Sequence, residues 1–298
     1  MQRHRSVEYS LSASTRLLGA RRDKREGVDT SSGLLLSVMG EFVLPNEGVA
    51  WTQTIIELLE VLDVREAAAR QALARTAERG WLERERVGRQ TRWAVTDLGR
   101  SLLEPGAERI YRFGQRARSW DGTWLVLLAS VPEAERSVRY RMSVGLRWAG
   151  FGSIGQGIWL CPWVEQELGA VQLLEQLGVD ATSFVSRLGA MGSATELAGA
   201  AWDLAELRTM YAEFLADTER MPTTRDGKVA AGELAALVHS WRRFPFLDPD
   251  LPDELLPSDW PQRSAAQRFA KLRAALSPRA HQWWRRSEAE LDPTALTG

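Results

Sequence analysis

Four arginines, Arg84, Arg86, Arg89 and Arg92, fall within nine positions around the pair Val87-Gly88. Guanidinium groups packed this densely near a glycine turn suit one chemistry above others, the charge-assisted grip on phosphate oxygens. Trp81, Leu82, Trp93 and Val95 flank them as apolar anchors, and Glu83 and Glu85 alternate with Arg84 and Arg86. A two-residue period sends those acids and those arginines to opposite faces of a strand. Just upstream, REAAARQALARTAERG sets Ala69, Ala72, Leu73 and Thr76 at spacings of three and four, which predicts one buried helical stripe. The opposite face carries Arg70, Gln71, Ala74, Arg75 and Glu78, with Arg65 at the helix start. Arginine and glutamine on an exposed helix face can form the bidentate pairs that read base edges in a major groove.

The elements that must hold these groups follow in order: helix, Gly-Trp, strand, arginine turn, strand, Thr-Asp-Leu-Gly-Arg. That is the order of a winged helix-turn-helix, in which one helix enters the groove and a two-stranded wing grips the flanking backbone. Gly80 stands where a residue beyond the helix end adopts the left-handed conformation at least strain. SSGLLLSVMGEFVL and WTQTIIELLEVL supply two preceding helices, with Pro45, Asn46 and Gly48 marking the loop between them. Thr96 or Asp97 caps a following helix through LGRSLLEPGAERIY, and Trp51 reads as a core residue.

Beyond Phe113–Trp120 the pattern changes. WLVLLASVP predicts a strand, EAERSVRYRMSVGLRWAG a helix, FGSIGQGIWLCP two short strands about Gly155, EQELGAVQLLEQLG a helix closed by Gly178, and ATSFVSRLGA a last strand. Strand, helix, strand, strand, helix, strand is the ferredoxin-like split arrangement. Residues from 193 onward are mostly helical, with a proline-bearing strap, FPFLDPDLPDELLPSDWP, between the last two helices. The expected class is therefore α+β and multidomain: a basic arm at 1–32, a winged helix-turn-helix at 33–118, a ferredoxin-like domain at 119–191 and a helical domain at 192–298.

Charge and composition narrow the function. Residues 1–118 hold 20 Lys+Arg against 16 Asp+Glu, a net +4, and residues 119–298 carry the balancing −5. The positive excess sits with the helix-turn-helix, as a nucleic-acid partner requires. A single cysteine, Cys161, excludes an internal disulfide and a multi-thiolate metal site, and His4, His239 and His281 lack metal-ligand spacing. No cofactor or metal is expected. No run is long and apolar enough for a bilayer, and the polar first 30 residues lack the stretch of a secretory signal, so a cytoplasmic protein is expected. Catalysis finds no support. A metal-dependent nuclease on the middle domain would want a carboxylate at the end of its first strand, which instead reads Leu128-Ala129-Ser130-Val131-Pro132. Such a nuclease, and a winged-helix module that binds only proteins, are the alternatives, and the arginine wing argues against the second.

Several blocks together resemble the PaaX family of bacterial repressors of phenylacetate catabolism. They are GEFVLP at 40–45, the run ending GWLERERVGRQTRW, TDLGRSLLEPGAERIY at 96–111, WDGTWLVLLASVPEAER at 120–136, LRWAGFGSIGQGIWLCP at 146–162 and FLDPDLPDELLPSDWP at 246–261. The resemblance implies a homodimeric repressor on a palindromic double-stranded operator, released by phenylacetyl-CoA or another acyl-CoA or aryl-acid effector. It also implies a middle domain similar to the small CRISPR-associated endoribonucleases. Arg65 stands where the family usually has a capping Ser, and Ala67 where an arginine is common, so the operator sequence does not carry over with the resemblance. An acyl-CoA would want cations for its phosphates and an aromatic slot for its acyl group. The expected effector residues are Trp148, Trp202, Tyr211, Trp241, Arg242 and Arg243, with Arg136, Arg139 and Arg141 as further cations.

Overall fold

The computed structural model describes residues 30–115, 119–155, 157–219, 221 and 224–292, so the basic arm at 1–32 lies outside it save for its last three residues. The first elements are α1 (Thr30–Val38), which continues into a π-helical turn (Met39–Val43), then β1 (Val49–Trp51), α2 (Thr52–Val61), α3 (Glu66–Glu78), β2 (Leu82–Val87), β3 (Gln90–Val95) and α4 (Asp97–Arg112). Next come β4 (Thr123–Ala129), α5 (Arg136–Trp148), β5 (Gly152–Gly155), β6 (Ile158–Cys161), α6 (Glu167–Leu177) and β7 (Ala181–Arg187). The last are α7 (Ala194–Ala201), α8 (Leu204–Glu219), α9 (Gly227–Trp241), α10 (Phe244–Leu247) and α11 (Gln262–Leu291). Among the described residues no helix is long and apolar enough to cross a membrane.

Packing gathers the chain into two compact units that do not follow the consecutive segments expected at 33–118, 119–191 and 192–298. One unit holds the chain up to Arg112 together with Glu213–Arg242 and everything from Ser264; the other holds Phe113–Ala212 and Arg243–Arg263. The physical reason lies in α9. Eleven of its 15 residues are buried, among them Ala230, Ala231, Ala235 and Ala236, so it cannot stand on the surface of a separate helical domain. Small side chains let it approach closely: a Cβ on Gly232 would lie 2.4 Å from Val61 Cγ1 of α2. Trp241, with no exposed surface, stacks on Phe269 of α11 at 4.9 Å and packs on Phe214 of α8 at 5.3 Å. Its indole N–H donates to the Ile110 carbonyl of α4 at 3.1 Å.

Within this unit the local readings hold. Ala69, Ala72, Leu73 and Thr76 form the buried stripe of α3, and Gly80 follows the helix at φ +76°. Strands β2 and β3 pair from Leu82↔Val95 to Val87↔Gln90, leaving Gly88-Arg89 as a two-residue turn with Gly88 at φ +60°. β1 adds a third strand beside β3, Trp51 is buried, and Thr96 Oγ1 accepts from Gly99 N to cap α4.

The second unit is a four-stranded antiparallel sheet in the order β5-β6-β4-β7. One face buries Leu125, Leu127 and Ala129 of β4 against Met142 and Leu146 of α5 and Ala170 and Leu174 of α6. The other face buries Trp124 and Leu160 beneath Ala198, Ala201 and Trp202 and beneath the strap residues Leu251, Leu255 and Leu256. Buried Tyr211 holds the strap by donating to Asp248 Oδ2 at 2.5 Å, while Asp250 N donates to Asp248 Oδ1 at 2.8 Å. Burial pushes the Asp248 carboxyl up to about 6.

Two glycine substitutions should separate close packing from helix propensity. Alanine is worth about 1 kcal/mol over glycine in a helix interior. Gly169→Ala on α6, where the new methyl meets open space, should raise the melting temperature. Gly232→Ala should lower it, because forcing a methyl against Val61 costs about 1–3 kcal/mol. A melting temperature that rises in both variants would mean that α2 and α9 yield freely.

Candidate nucleic-acid interface

The exposed side of α3 begins with Arg65, whose backbone is extended and whose side chain makes no capping bond. Glu66, Ala67, Arg70, Gln71 and Ala74 continue that surface. Arg70 pairs with Glu66 at 2.8 Å, and both side chains are more than half exposed. An exposed i,i+4 pair is worth only about 0.3–0.5 kcal/mol, so Arg70 can leave it for a stronger anion. Arg75 is committed elsewhere, half-buried and donating to Ser32 Oγ of α1 at 3.3 Å. It fastens α3 to α1.

The wing sorts its arginines by strand register. Arg84 lies opposite Trp93 and Arg86 opposite Thr91, whereas Arg92 lies opposite Glu85. Arg92 Nε and Nη2 grip the two Glu85 oxygens at 2.7 and 3.0 Å, and its guanidinium sits 5.9 Å from the Trp51 ring centroid. That bond holds the Glu85 carboxyl below its usual range. The period-two expectation thus places Glu85 away from Arg84 and Arg86 and leaves Arg92 on the acidic face, already satisfied. Arg65, Arg84, Arg86 and Arg89 are exposed and have no carboxylate partner among the described residues.

Two anchors behind this surface were not foreseen. Trp51 is the N-cap residue of α2 and has no capping side chain, and its N–H donates to both oxygens of Glu288 on α11 at 3.1 Å. A carboxylate there opposes the positive end of the helix dipole, yet burial pushes its pKa up to about 7. The second anchor is Glu41, whose side chain is fully buried. Arg273 Nε and Nη2 donate to its two oxygens at 3.1 Å each, His281 Nε2 lies 3.1 Å from Oε1, and Tyr111 Oη donates to Oε2 at 2.5 Å. Burial alone would raise this carboxyl, but the His281 bond, the Arg273 charge and bonds, and Tyr111 together hold it below its usual range. A signal was present in the sequence: Glu41 falls seven positions after Leu34 and three after Val38, on the apolar stripe of the first helix.

The residues expected at an effector site are divided between the two units, Trp241 and Arg242 in the first and Trp148, Trp202, Tyr211 and Arg243 in the second. Trp202 packs on Gly152, whose added Cβ would lie 2.5 Å from the ring. Tyr211 stacks on Phe244 at 4.3 Å, and Trp241 is enclosed as described. These three rings are core, which corrects the expectation that they line an aromatic slot. Arg242 lies against Gly33, and Arg243 reaches over the Phe244 ring at 5.8 Å. Only Trp148 of the four rings is exposed, at 43%, packed on Phe246 at 4.2 Å.

Comparison with known proteins covers most of the chain. Residues 30–99 match the family model described as PaaX-like protein, 117–198 that of the PaaX protein central Cas2-like domain, and 202–286 that of the PaaX-like protein C-terminal domain. The transcriptional repressor PaaX of Escherichia coli is 31% identical over 266 residues, covering 84% of this chain and 82% of the relative. Among solved structures, the uncharacterized protein Rv0674 from Mycobacterium tuberculosis is similar in fold, with a TM-score of 0.57 and 24% identity over 85% of this chain and 97% of that one.

Glu288 gives a pH signature. An unfolded glutamate releases its proton near 4.5, whereas the folded one holds it to about 7. Its contribution to stability is therefore fully present below 4.5, falls as the pH rises through that window and levels off above 7. Glu288→Gln should remove this fall, so melting temperatures taken across the window at constant ionic strength should drop less in the variant. Parallel slopes in the two proteins would clear Glu288 of the role.

Proposed function

The chain belongs to the PaaX family of transcriptional repressors, and on that premise we propose that it binds a palindromic double-stranded operator as a homodimer. The reading takes residues 49–95 as a winged helix-turn-helix, with α2 and α3 as its helix pair and β2–β3 as its wing. The observation that carries it is the set of exposed cations without carboxylate partners among the described residues: Arg65 at the start of α3, and Arg84, Arg86 and Arg89 on the wing. Gln71 and Arg70 on α3 face outward to read base edges, and the wing arginines take phosphates. Arg92 and Arg75, held by Glu85 and Ser32, shape the surface without contacting DNA. The β5-β6-β4-β7 order supports a ferredoxin-like reading of the middle unit.

A small acyl-CoA or aryl-acid effector releases the operator by preferring a conformation in which the two recognition helices are wrongly spaced; a ligand with equal affinity for both would change nothing. The relative's printed name supports repression, and the cytoplasm is where such a protein would meet DNA.

Binding measured against salt on cognate and unrelated duplexes tests this division of labour. Arg84→Ala and Arg89→Ala should weaken binding alike on both and reduce the salt slope by about 0.9 for each phosphate no longer neutralised. Gln71→Ala should cost about 1–3 kcal/mol on the cognate site alone. If all three variants bind every duplex as the parent protein does, the surface is not the interface. For release, titration calorimetry should show the effector binding the operator complex more weakly than the free protein, by the same factor as it weakens DNA binding.

A further inference from the structure

A cleft of about 210 Å³ opens between the sheet and α6, wholly within the second unit. It exists because Ala170 on the helix and Ala181 and Ser183 on β7 are too small to fill the space between the two elements. The floor is apolar: Leu125, Leu127, Phe151, Ala170 and Leu174 line it, each no more than 4% exposed. Every charged side chain that lines the cleft is acidic, Glu167 and Glu175 of α6 and Asp180 just beyond that helix. None of the three has an ion-pair partner among the described residues. A hydrogen bond orients the first of them. Ser183 Oγ donates to Glu167 Oε1 at 2.5 Å, bridging strand and helix, and Oε2 has no partner among the described residues.

We propose that this cleft binds a small organic cation, a primary ammonium group carried on a compact apolar body. A benzene ring occupies an apolar cavity of about 150 Å³, so the space here admits a body of that size with a short polar head. The body lies against Leu125, Leu127 and Leu174, and the ammonium donates to Glu167 Oε2. Glu175, about two turns further along α6, and Asp180 add attraction from the far end. Solvated carboxylates alone would draw any cation weakly, through screened contacts. The apolar floor is what selects an amine with a hydrophobic body over a metal ion or a bare ammonium. The same rim turns anions away. No Lys, Arg or His lines the cleft, so an acyl-CoA or an aryl acid would bring its negative charge against three carboxylates. The site is therefore separate from the one the effector reading needs, and it stands or falls apart from operator binding and release.

Titration calorimetry on the full chain at neutral pH tests this with hexylamine, which is protonated there, against hexanol, hexanoate and methylamine. Hexylamine should bind about tenfold more tightly than hexanol, the worth of one hydrogen bond to a charged group. Methylamine, which lacks the body, and hexanoate, which carries the wrong charge, should give no saturable heat. Val171 lines the cleft and is 41% exposed, so Val171→Trp should close it without disturbing the core and abolish binding. Val144→Trp, at an exposed place on α5, should bind hexylamine as the parent protein does. Glu175→Lys, also at an exposed position, should weaken hexylamine about threefold and leave hexanol unchanged. Hexylamine that binds no more tightly than hexanol, that survives both Val171→Trp and Glu175→Lys, or that gives no saturable heat with the parent protein overturns the site.

Discussion

The unit that holds α1–α4, α9 and α11 is arranged around one carboxylate, Glu41, that has no access to water and is held below its usual range. An isolated buried charge is strongly unfavourable, and it is tolerated only when opposite charge and hydrogen bonds reach it from several sides. Glu41 obtains them from two distant helices: Tyr111 from α4, and Arg273 and His281 from α11. The Arg273 guanidinium also lies 4.2 Å from the Tyr111 ring centroid, and Phe42, the next residue, stacks on Trp284 at 5.2 Å and meets the His281 ring at 5.0 Å. A single acid thereby fixes which faces of α4 and α11 turn inward. With α11 set, Glu288 falls at the start of α2 and the helix pair is held from behind.

The same logic of satisfied charge explains why a surface rich in arginine is less cationic than its sequence suggests. Arg92 and Arg75 have become internal ties, one closing the wing against Glu85 and the other locking α3 onto α1. Among the exposed guanidinium groups that remain are Arg65 at the start of α3 and Arg89 at the turn of the wing.

Legibility in the sequence tracked distance along the chain. The stripe of α3, the Thr96 cap, the left-handed Gly80 and Gly178 and the strand–helix alternation of the second unit were all readable, because each depends on residues within a few positions of one another. What could not be read depends on partners 70 to 240 positions away. Tyr111 and His281 are ordinary residues until Glu41 lies beside them, and the alanine-rich face of α9 announces burial without naming its neighbour. Trp202, Tyr211 and Trp241 were misread for the same reason. Aromatic rings close to arginines in sequence suit both a ligand slot and a core, and only the fold separates the two.

Interleaving α9 and α11 with α1–α4 also bears on how the protein comes into being. A helix-turn-helix with local contacts alone could fold as soon as it left the ribosome. Here residues 30–112 pack against segments made last, and the intervening sheet, though its strands are complete by Arg187, still awaits the strap that covers one of its faces. During that interval the apolar faces of α1 and α2 that α9 will cover are open to solvent and to other nascent chains, the circumstance in which large proteins come to depend on chaperones. Only a chain translated through α11 can complete the packing behind α2 and α3.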